Sequence, residues 1–292
     1  MNSLLDTLVF KSGQKKGKED TVIIPLLEKL NIPHAISIGS AAHNMAEAYE
    51  KSVDVLYQRE EAFLAKNQLL SLKNAVISGV PQPNQPKITV VTSDDTHQTK
   101  SGRKIQTECL FTTSPDVLLI HKPADCPTAI IGATGKNDEN ILGLVHLGRP
   151  QVNEQLVEYA LDFLTQTYGS KPTEIFIGIS PSIGPNYYWV KQADQNEKSL
   201  IDRKYWGIFA GDDEVENENV IRIDVLGKIL LTLTQHGIPP ENIQAYGHAE
   251  AVDTYALANL NPPQTFSHRY ATNTNQPHRN GRIMIAAQLS GV

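Results

Sequence analysis

Cysteine is scarce in this chain, two in 292 residues, and one of the two, Cys126, stands in the run HKPADCPTAII between two apolar stretches. A thiol at such a strand end or tight connection is placed to face a cleft. Taken alone it equally suits a small buried hydrophobe, the usual state of a free cysteine. Twenty residues on, His146 closes the run ILGLVH and precedes Leu147-Gly148-Arg149-Pro150, where a helix begins. Upstream by 29 residues, His97 lies in the polar stretch SDDTHQTKSGR, where no core needs an imidazole. Two histidines and one cysteine make three protein ligands, the number a catalytic zinc site uses while keeping a fourth position open for water or substrate. The gaps match no compact ligand motif, so satisfied core or surface histidines compete with this reading at both positions. Cys126 with His146 as its base is the metal-free alternative, provided the thiol pKa is lowered. Asp125 would orient a ligand, serve as a base or cap a turn.

These residues depend on the elements around them. Met45 to about Leu72 has helical periodicity, with Val53, Leu56, Tyr57, Phe63, Leu64 and Leu69 on one face, and the loop PQPNQP from Pro81 to Pro86 follows. Apolar or alternating runs at Ile88–Thr92, Val117–Ile120, Thr128–Ala133 and Ile141–Val145 predict strands. Val152–Tyr168 predicts an amphipathic helix, Glu174–Ile179 a strand, and SPSIGP a tight turn. Val225–His236 predicts a helix capped by Asp224 and closed by Gly237 and Pro239-Pro240. Asn242–Tyr246 and Arg282–Ala287 add strands. Helix and strand signals interleave with no repeat and no composition break. The expectation is α+β: a single domain of mixed β-sheets flanked by helices.

Composition narrows the function classes. A chain that is 40% hydrophobic and 20% charged can bury a sizeable core. Its net charge of −6 argues against a nucleic-acid surface. No stretch reaches the ~20 apolar residues of a membrane helix, and the first residues lack the order of a signal peptide, so a cytoplasmic location is expected. Two cysteines are too few for a disulfide scaffold. The lysine-rich segment KSGQKKGKED at residues 11–20 predicts a solvated face.

Several blocks in fixed order add a resemblance. ADCPTAII, GLVHLGRP, ISPSIGP, IDVLGKILLTLTQHGIPPENI, and FSHRY followed by NGRIMIAAQL resemble the laccase-domain (YfiH-like) family, formerly described as polyphenol oxidase or multicopper oxidoreductase. IPHAISIGS resembles its opening strand. The match covers about Ile32 to Leu289, implying one catalytic domain over 32–292 behind an extension at 1–31. The resemblance implies a zinc-dependent purine nucleoside phosphorylase with adenosine deaminase side activity, acting on a nucleoside and phosphate. It implies zinc bound by His97, Cys126 and His146. Arg149 and Arg269 are the available donors for phosphate, with a surface salt bridge or turn as the competing role; His268 would bind substrate or pin the C-terminal strand, and His121 is a spare ligand should His97 fail. Arg149-Pro150 replaces the family's Trp-Arg, and Ser267-His268-Arg269-Tyr270 has one arginine fewer than its usual Ser-His-Arg-Arg. The cysteine expected near Gly247-His248 and the arginine expected at Gly39 are absent. Copper suits the same two-His, one-Cys donors. Nine histidines without one His-x-His pair argue against a multicopper polyphenol oxidase. A non-catalytic descendant that keeps the fold for partner binding is the remaining alternative, and the lost arginines motivate it.

Overall fold

The computed structural model describes residues 21–38, 44–45, 52–79, 87–96, 101–194, 201–246, 254, 258, 267–276 and 280–291. Two six-stranded mixed sheets form its middle. The first runs in the order β1 (Thr21–Val22), β2 (His34–Ser37), β15 (Ile285–Gln288), β7 (Leu118–His121), β3 (Ala75–Gly79), β5 (Arg103–Gln106). The second runs β14 (Ile243–Ala245), β10 (Ile175–Ile179), β8 (Thr128–Thr134), β9 (Asn140–His146), β6 (Cys109–Thr112), β4 (Ile88–Val90). A smaller sheet of β11 (Trp189–Lys191), β13 (Glu218–Ile223) and β12 (Ala210–Val215) lies beyond them. Parallel pairs such as β3–β7 and β10–β14 sit beside antiparallel ones such as β8–β9, the mixed arrangement expected.

Alternation along the strands sorts side chains into three apolar layers. Leu119, Ile285, Ile130, Leu142 and Leu144 meet between the two large sheets. Leu118, Ile120 and Ala286, on the outer face of the first sheet, pack against Phe63 and Leu64. Those two belong to the long helix Val53–Lys66. Ile131, Ile141 and Val145, on the outer face of the second sheet, pack against Leu161, Ile229, Leu230 and Leu233. The second sheet is therefore covered on both faces, which is why β8 and β9 read as nearly unbroken apolar runs rather than alternating ones. Each fully buried aliphatic side chain of these layers stabilises the fold by about 1.5–3 kcal/mol.

In chain order the helices include α1 (Pro25–Lys29), α2 (Val53–Lys66), α3 (Arg149–Asn153), α4 (Leu156–Phe163), α5 (Arg203–Trp206), α6 (Val225–Gln235) and α7 (His268–Asn273). α6 starts where predicted and ends one residue earlier, at Gln235: Asp224 accepts a hydrogen bond from the Gly227 N–H, and Gly237 takes a positive φ of 79° just past the end. The single helix predicted over 152–168 is broken. Gln155 adopts the left-handed region at φ 59°, dividing α3 from α4, and a π-helical turn at Leu164–Tyr168 completes the segment. The helix predicted over 45–72 begins at Val53 in the described residues and stops at Lys66, where Asn67 and Gln68 turn the chain. Strands β3, β5 and β6 carry no distinct period-2 signal and were not predicted.

Part of the extension expected at 1–31 is described, from Thr21 onward. β1 pairs with β2, and Val22, Ile24 and Leu27 are buried between the sheets, so residues 21–31 are built into the domain. Residues 1–20, including the lysine-rich run, lie outside the described residues.

Candidate functional site

One cavity of about 560 Å³ opens where β7, β8 and β9 end, and Cys126 lies in its wall. The connection 122–127 that carries the thiol is pinned from three directions by backbone hydrogen bonds. The Pro123 carbonyl accepts from the Ile283 amide at 3.0 Å, that of Asp125 from Ile183 at 3.0 Å, and that of Pro127 from Leu147 at 2.9 Å. Every second carbonyl of this irregular connection is thereby tied to a different part of the chain.

His146 closes β9 opposite Thr128, the first residue of β8, so pairing of these two strands brings the histidine beside the Cys126 connection. Its Nδ1 lies 2.6 Å from Glu108 Oε2, and Glu108 Oε1 accepts from Gln151 Nε2 at 2.7 Å. A carboxylate at that distance fixes the proton on Nδ1 and leaves Nε2 for the cavity side. Burial pulls the His146 pKa down. Hydrogen bonds with the Cys126 thiol and the Glu108 carboxylate, reinforced by their charges, outweigh it and raise the value to about 10.

Gly148, in an ordinary extended conformation at φ −63°, leaves the space in which the two groups meet. A Cβ there would lie 2.9 Å from Cys126 Sγ, 3.2 Å from His146 Nε2 and 2.6 Å from Gln151 Oε1. Sulfur and imidazole nitrogen therefore converge on one atom-sized cradle that any side chain would fill. His121, the last residue of β7, stands behind them with its ring 4.6 Å from that of His146 and its Nδ1 2.7 Å from Thr128 Oγ1. Burial, then the charges of His146 and Arg282, hold its pKa well below the usual imidazole value, so His121 is neutral.

The other residues singled out in the sequence fall as follows. Asp125 is buried, and both its oxygens are engaged. Oδ1 accepts from Thr254 Oγ1 and Oδ2 from the Arg269 N–H, each at 2.9 Å. It thus caps the first turn of α7 together with Ser267, whose Oγ accepts from the Tyr270 N–H. These contacts match the turn-capping alternative, in a residue that also lines the cavity. Arg149, at the start of α3, and Arg269 both line the cavity, the guanidinium of Arg269 lying 5.0 Å from the centre of the Tyr188 ring. His268 is exposed at the mouth, its Nδ1 3.3 Å from Asn280 Nδ2. His97, like Gly39, Gly247 and His248, lies outside the described residues.

Sequence reasoning missed Glu108, Gln151, Tyr188 and Arg282. Glu108 had a usable signal: it is the one charged residue of the run TECLFT, directly before the apolar Cys109-Leu110-Phe111, and one step along a strand reverses the face. The other three carry no local pattern at all.

The site can be tested for fit to a metal. Cys126 and His146 offer one thiolate and one imidazole around a shared space, with Glu108 behind the histidine as the outer carboxylate that metal-bound histidines usually have. Among the described residues, no group of three His, Cys, Asp or Glu side chains could hold an ion. Two donors of a suitable set are thus in place.

Three solved structures share the fold. They are hypothetical protein YfiH from Bacillus licheniformis (16% identity, TM-score 0.69, 94% of this chain and 98% of the other), YlmD from Geobacillus stearothermophilus (17%, 0.71, 96% and 99%), and NMB0706 from Neisseria meningitidis (14%, 0.58, 97% and 99%). No curated protein matches. The family model described as multi-copper polyphenol oxidoreductase laccase matches residues 44–290, and the chain belongs to that family. Among the described residues no helix is long and apolar enough to cross a membrane.

Proposed function

We propose that this protein is an enzyme of the purine nucleoside phosphorylase type, cleaving the bond between a purine and its ribose with inorganic phosphate. The observation that carries the reading is the convergence of Cys126 Sγ and His146 Nε2 on the space kept by Gly148, in a cavity that Arg149 and Arg269 also line. The two guanidiniums supply fork-shaped donors for a phosphate. A phosphate oxygen forms a bond to the anomeric carbon as the carbon–nitrogen bond breaks. The electron pair leaves with the base, which takes up a proton.

Cys126 and His146 are the residues that would hold zinc, with His97 as the third donor that the family resemblance supplies. Zinc bound there would polarise a substrate oxygen and lower the pKa of a bound water to about 7, the chemistry a deaminase side activity needs. Glu108 fixes the orientation of His146 in either case. Elemental mass spectrometry and product analysis with adenosine and inosine test the reading together. Expected are about one zinc per chain and base release that requires phosphate and yields a sugar phosphate, both lost in Cys126→Ala. Base release that ignores phosphate, or none from a zinc-loaded protein, overturns it.

A second reading rests on the line Glu108–His146–Cys126, which has the order of an orienting acid, a base and a nucleophile. There Cys126 would attack an acyl carbon, His146 would pass the thiol proton to the leaving group, and water would release the acid. Rapid alkylation of Cys126 that added zinc does not slow, together with thioester formation from an activated ester, would favour it over phosphorolysis.

A further inference from the structure

Tyr188 lines the same cavity as Cys126, His146 and Arg269. It follows the SPSIGP turn and immediately precedes β11, and its backbone is held on both sides. The Tyr188 N–H donates to the Gly184 carbonyl at 3.1 Å, and the Tyr188 carbonyl accepts from the Ile223 N–H, at the end of β13, at 3.0 Å. Arg269 reaches the same wall from α7. Asp125 joins the two: its carbonyl accepts from Ile183, in the turn that leads to Tyr188, while its Oδ2 accepts from the Arg269 N–H. The residue next to Cys126 thus sets the tyrosine turn and the first turn of α7 against one another, with the thiol beside both.

The Arg269 guanidinium lies 5.0 Å from the centre of the Tyr188 ring and hydrogen-bonds to the phenol oxygen. The direction of that bond is fixed, because a guanidinium only donates. The phenol oxygen is therefore the acceptor, and the phenol hydrogen is left to bond elsewhere. Among the described residues no group accepts it. A half-buried hydroxyl in that state forgoes a hydrogen bond that a bound molecule can restore. Guanidinium and phenol together make a stretch of wall that offers donors, one of them charged, and whose phenol oxygen is already used. Such a stretch suits an anion rich in lone pairs.

We infer that Tyr188 contacts the substrate: its O–H donates to an oxygen of the inorganic phosphate that the Arg269 guanidinium holds. The identity of the anion rests on the phosphorolytic reading; that this wall takes an oxyanion does not. The phenol adds a directional donor without adding charge, so it orients a phosphate that the guanidinium attracts. A phosphate gripped in two places keeps another oxygen for attack on the anomeric carbon, and fixing that approach is worth far more in rate than attraction alone.

Tyr188→Phe removes the oxygen and keeps the ring beside Arg269, so the wall keeps its shape. Calorimetric titration of the full chain with inorganic phosphate, in phosphate-free buffer, is paired with adenine release at varied phosphate and varied adenosine. In the variant, phosphate affinity should fall and the phosphate KM rise about ten-fold, the worth of one hydrogen bond to a charged group. The adenosine KM and the melting temperature should be unchanged. Should this variant fail to fold, Arg269→Gln reads the same wall, with a larger loss of phosphate and none of adenosine. Unchanged phosphate binding in Tyr188→Phe overturns the inference and leaves phosphorolysis standing. A loss shared equally by phosphate and adenosine overturns it as well, since the hydroxyl would then serve the shape of the cavity. A wild type that does not bind phosphate removes the inference and phosphorolysis together. Phosphate bound by the wild type and weakened in the variant, with no adenine released by either, supports the subsite and removes phosphorolysis.

Discussion

The two cysteines lie close together, Cys109 within the second sheet and Cys126 in the connection that leads into it, and have opposite surroundings. Cys109 pairs with Val145 across β6 and β9, and its side chain lies among Phe111, Ile131 and Val145 in the layer beneath α4 and α6. One residue away on each strand, Glu108 and His146 turn the other way, into the cavity, where they meet Cys126. Burial pushes the Cys109 thiol far above its ordinary pKa, and the adjacent Glu108 charge adds to that, only partly offset by Lys87. Cys126 has an imidazole at hydrogen-bond range instead. The pleat of the sheet turns Cys109 into the core and its neighbours Glu108 and His146 toward Cys126, so position rather than residue type separates the two thiols.

The largest effect that would break this contrast is on turnover. Cys126→Ala should reduce catalysis on the order of 10²–10⁴-fold with the melting temperature nearly unchanged. Cys109→Ala should leave turnover within about two-fold and cost about 1 kcal/mol of stability through the small void it opens. Steady-state rates beside denaturant melts of both variants measure this, and an active Cys126→Ala protein would remove the distinction between the two thiols.

Gly148→Ala comes next and sharpens the comparison, because it leaves both cysteines and their strands intact. The backbone at Gly148 is one any residue adopts, so the fold should persist. The added methyl would enter the space between Cys126 Sγ and His146 Nε2. Displacing the pair by about 1 Å should lower kcat/KM roughly 10²-fold. An unchanged rate would mean that the convergence of these two atoms plays no part in the chemistry.

Glu108→Gln should have a more modest effect, a loss of roughly 10-fold, within the range for a group that acts through the histidine it orients. The amide keeps the shape and one acceptor but loses the charge that favours a proton on Nδ1. The same substitution should ease ionisation of Cys109, which feels that charge through the strand. Rate and thiol titration measured on one preparation would show whether a single carboxylate serves both regions.

How much of this the sequence disclosed follows the same division. Helix α6 and strands β8, β9 and β10 were readable because their apolar runs are long and their ends carry Asp224, Gly237 and the SPSIGP turn. Cys126 and His146 stood out because each terminates such a run. β3, β5 and β6 were hidden, being short and either buried on both faces or largely polar, so that no alternation marks them. Glu108 and Arg282 were hidden for a different reason. Their meaning comes from contacts 38 residues away in the first case and from a wall shared with other strands in the second, and no local pattern carries a long-range contact. For Asp125 three readings stood side by side in the sequence, and a long-range contact singles out none of them locally. Its place beside the cysteine suggested chemistry, while its two hydrogen bonds tie it to α7 and Thr254.

The smallest effect concerns Cys109 alone and is visible only at alkaline pH. An unfolded cysteine loses its proton near pH 8.5, whereas the buried thiol keeps its own well above that. Between those values the unfolded chain binds fewer protons than the folded one, so stability falls as pH rises, and the contribution is fully present below pH ~8.5. The slope attributable to this group is at most about 1.4 kcal/mol per pH unit. Denaturant melts between pH 7 and 10 should therefore show a shallower decline for Cys109→Ala than for wild type. The partly buried Tyr205 and the buried Tyr246, whose pKa values are raised in the same sense, contribute equally to both proteins and cancel in the difference. Iodoacetamide gives the kinetic counterpart: at pH 9 it should label Cys126 and leave Cys109 unmodified until denaturant is added. Labelling of Cys109 in the folded protein at that pH would show that the second sheet opens on the timescale of the reaction, and the contrast between the two thiols would then be one of degree.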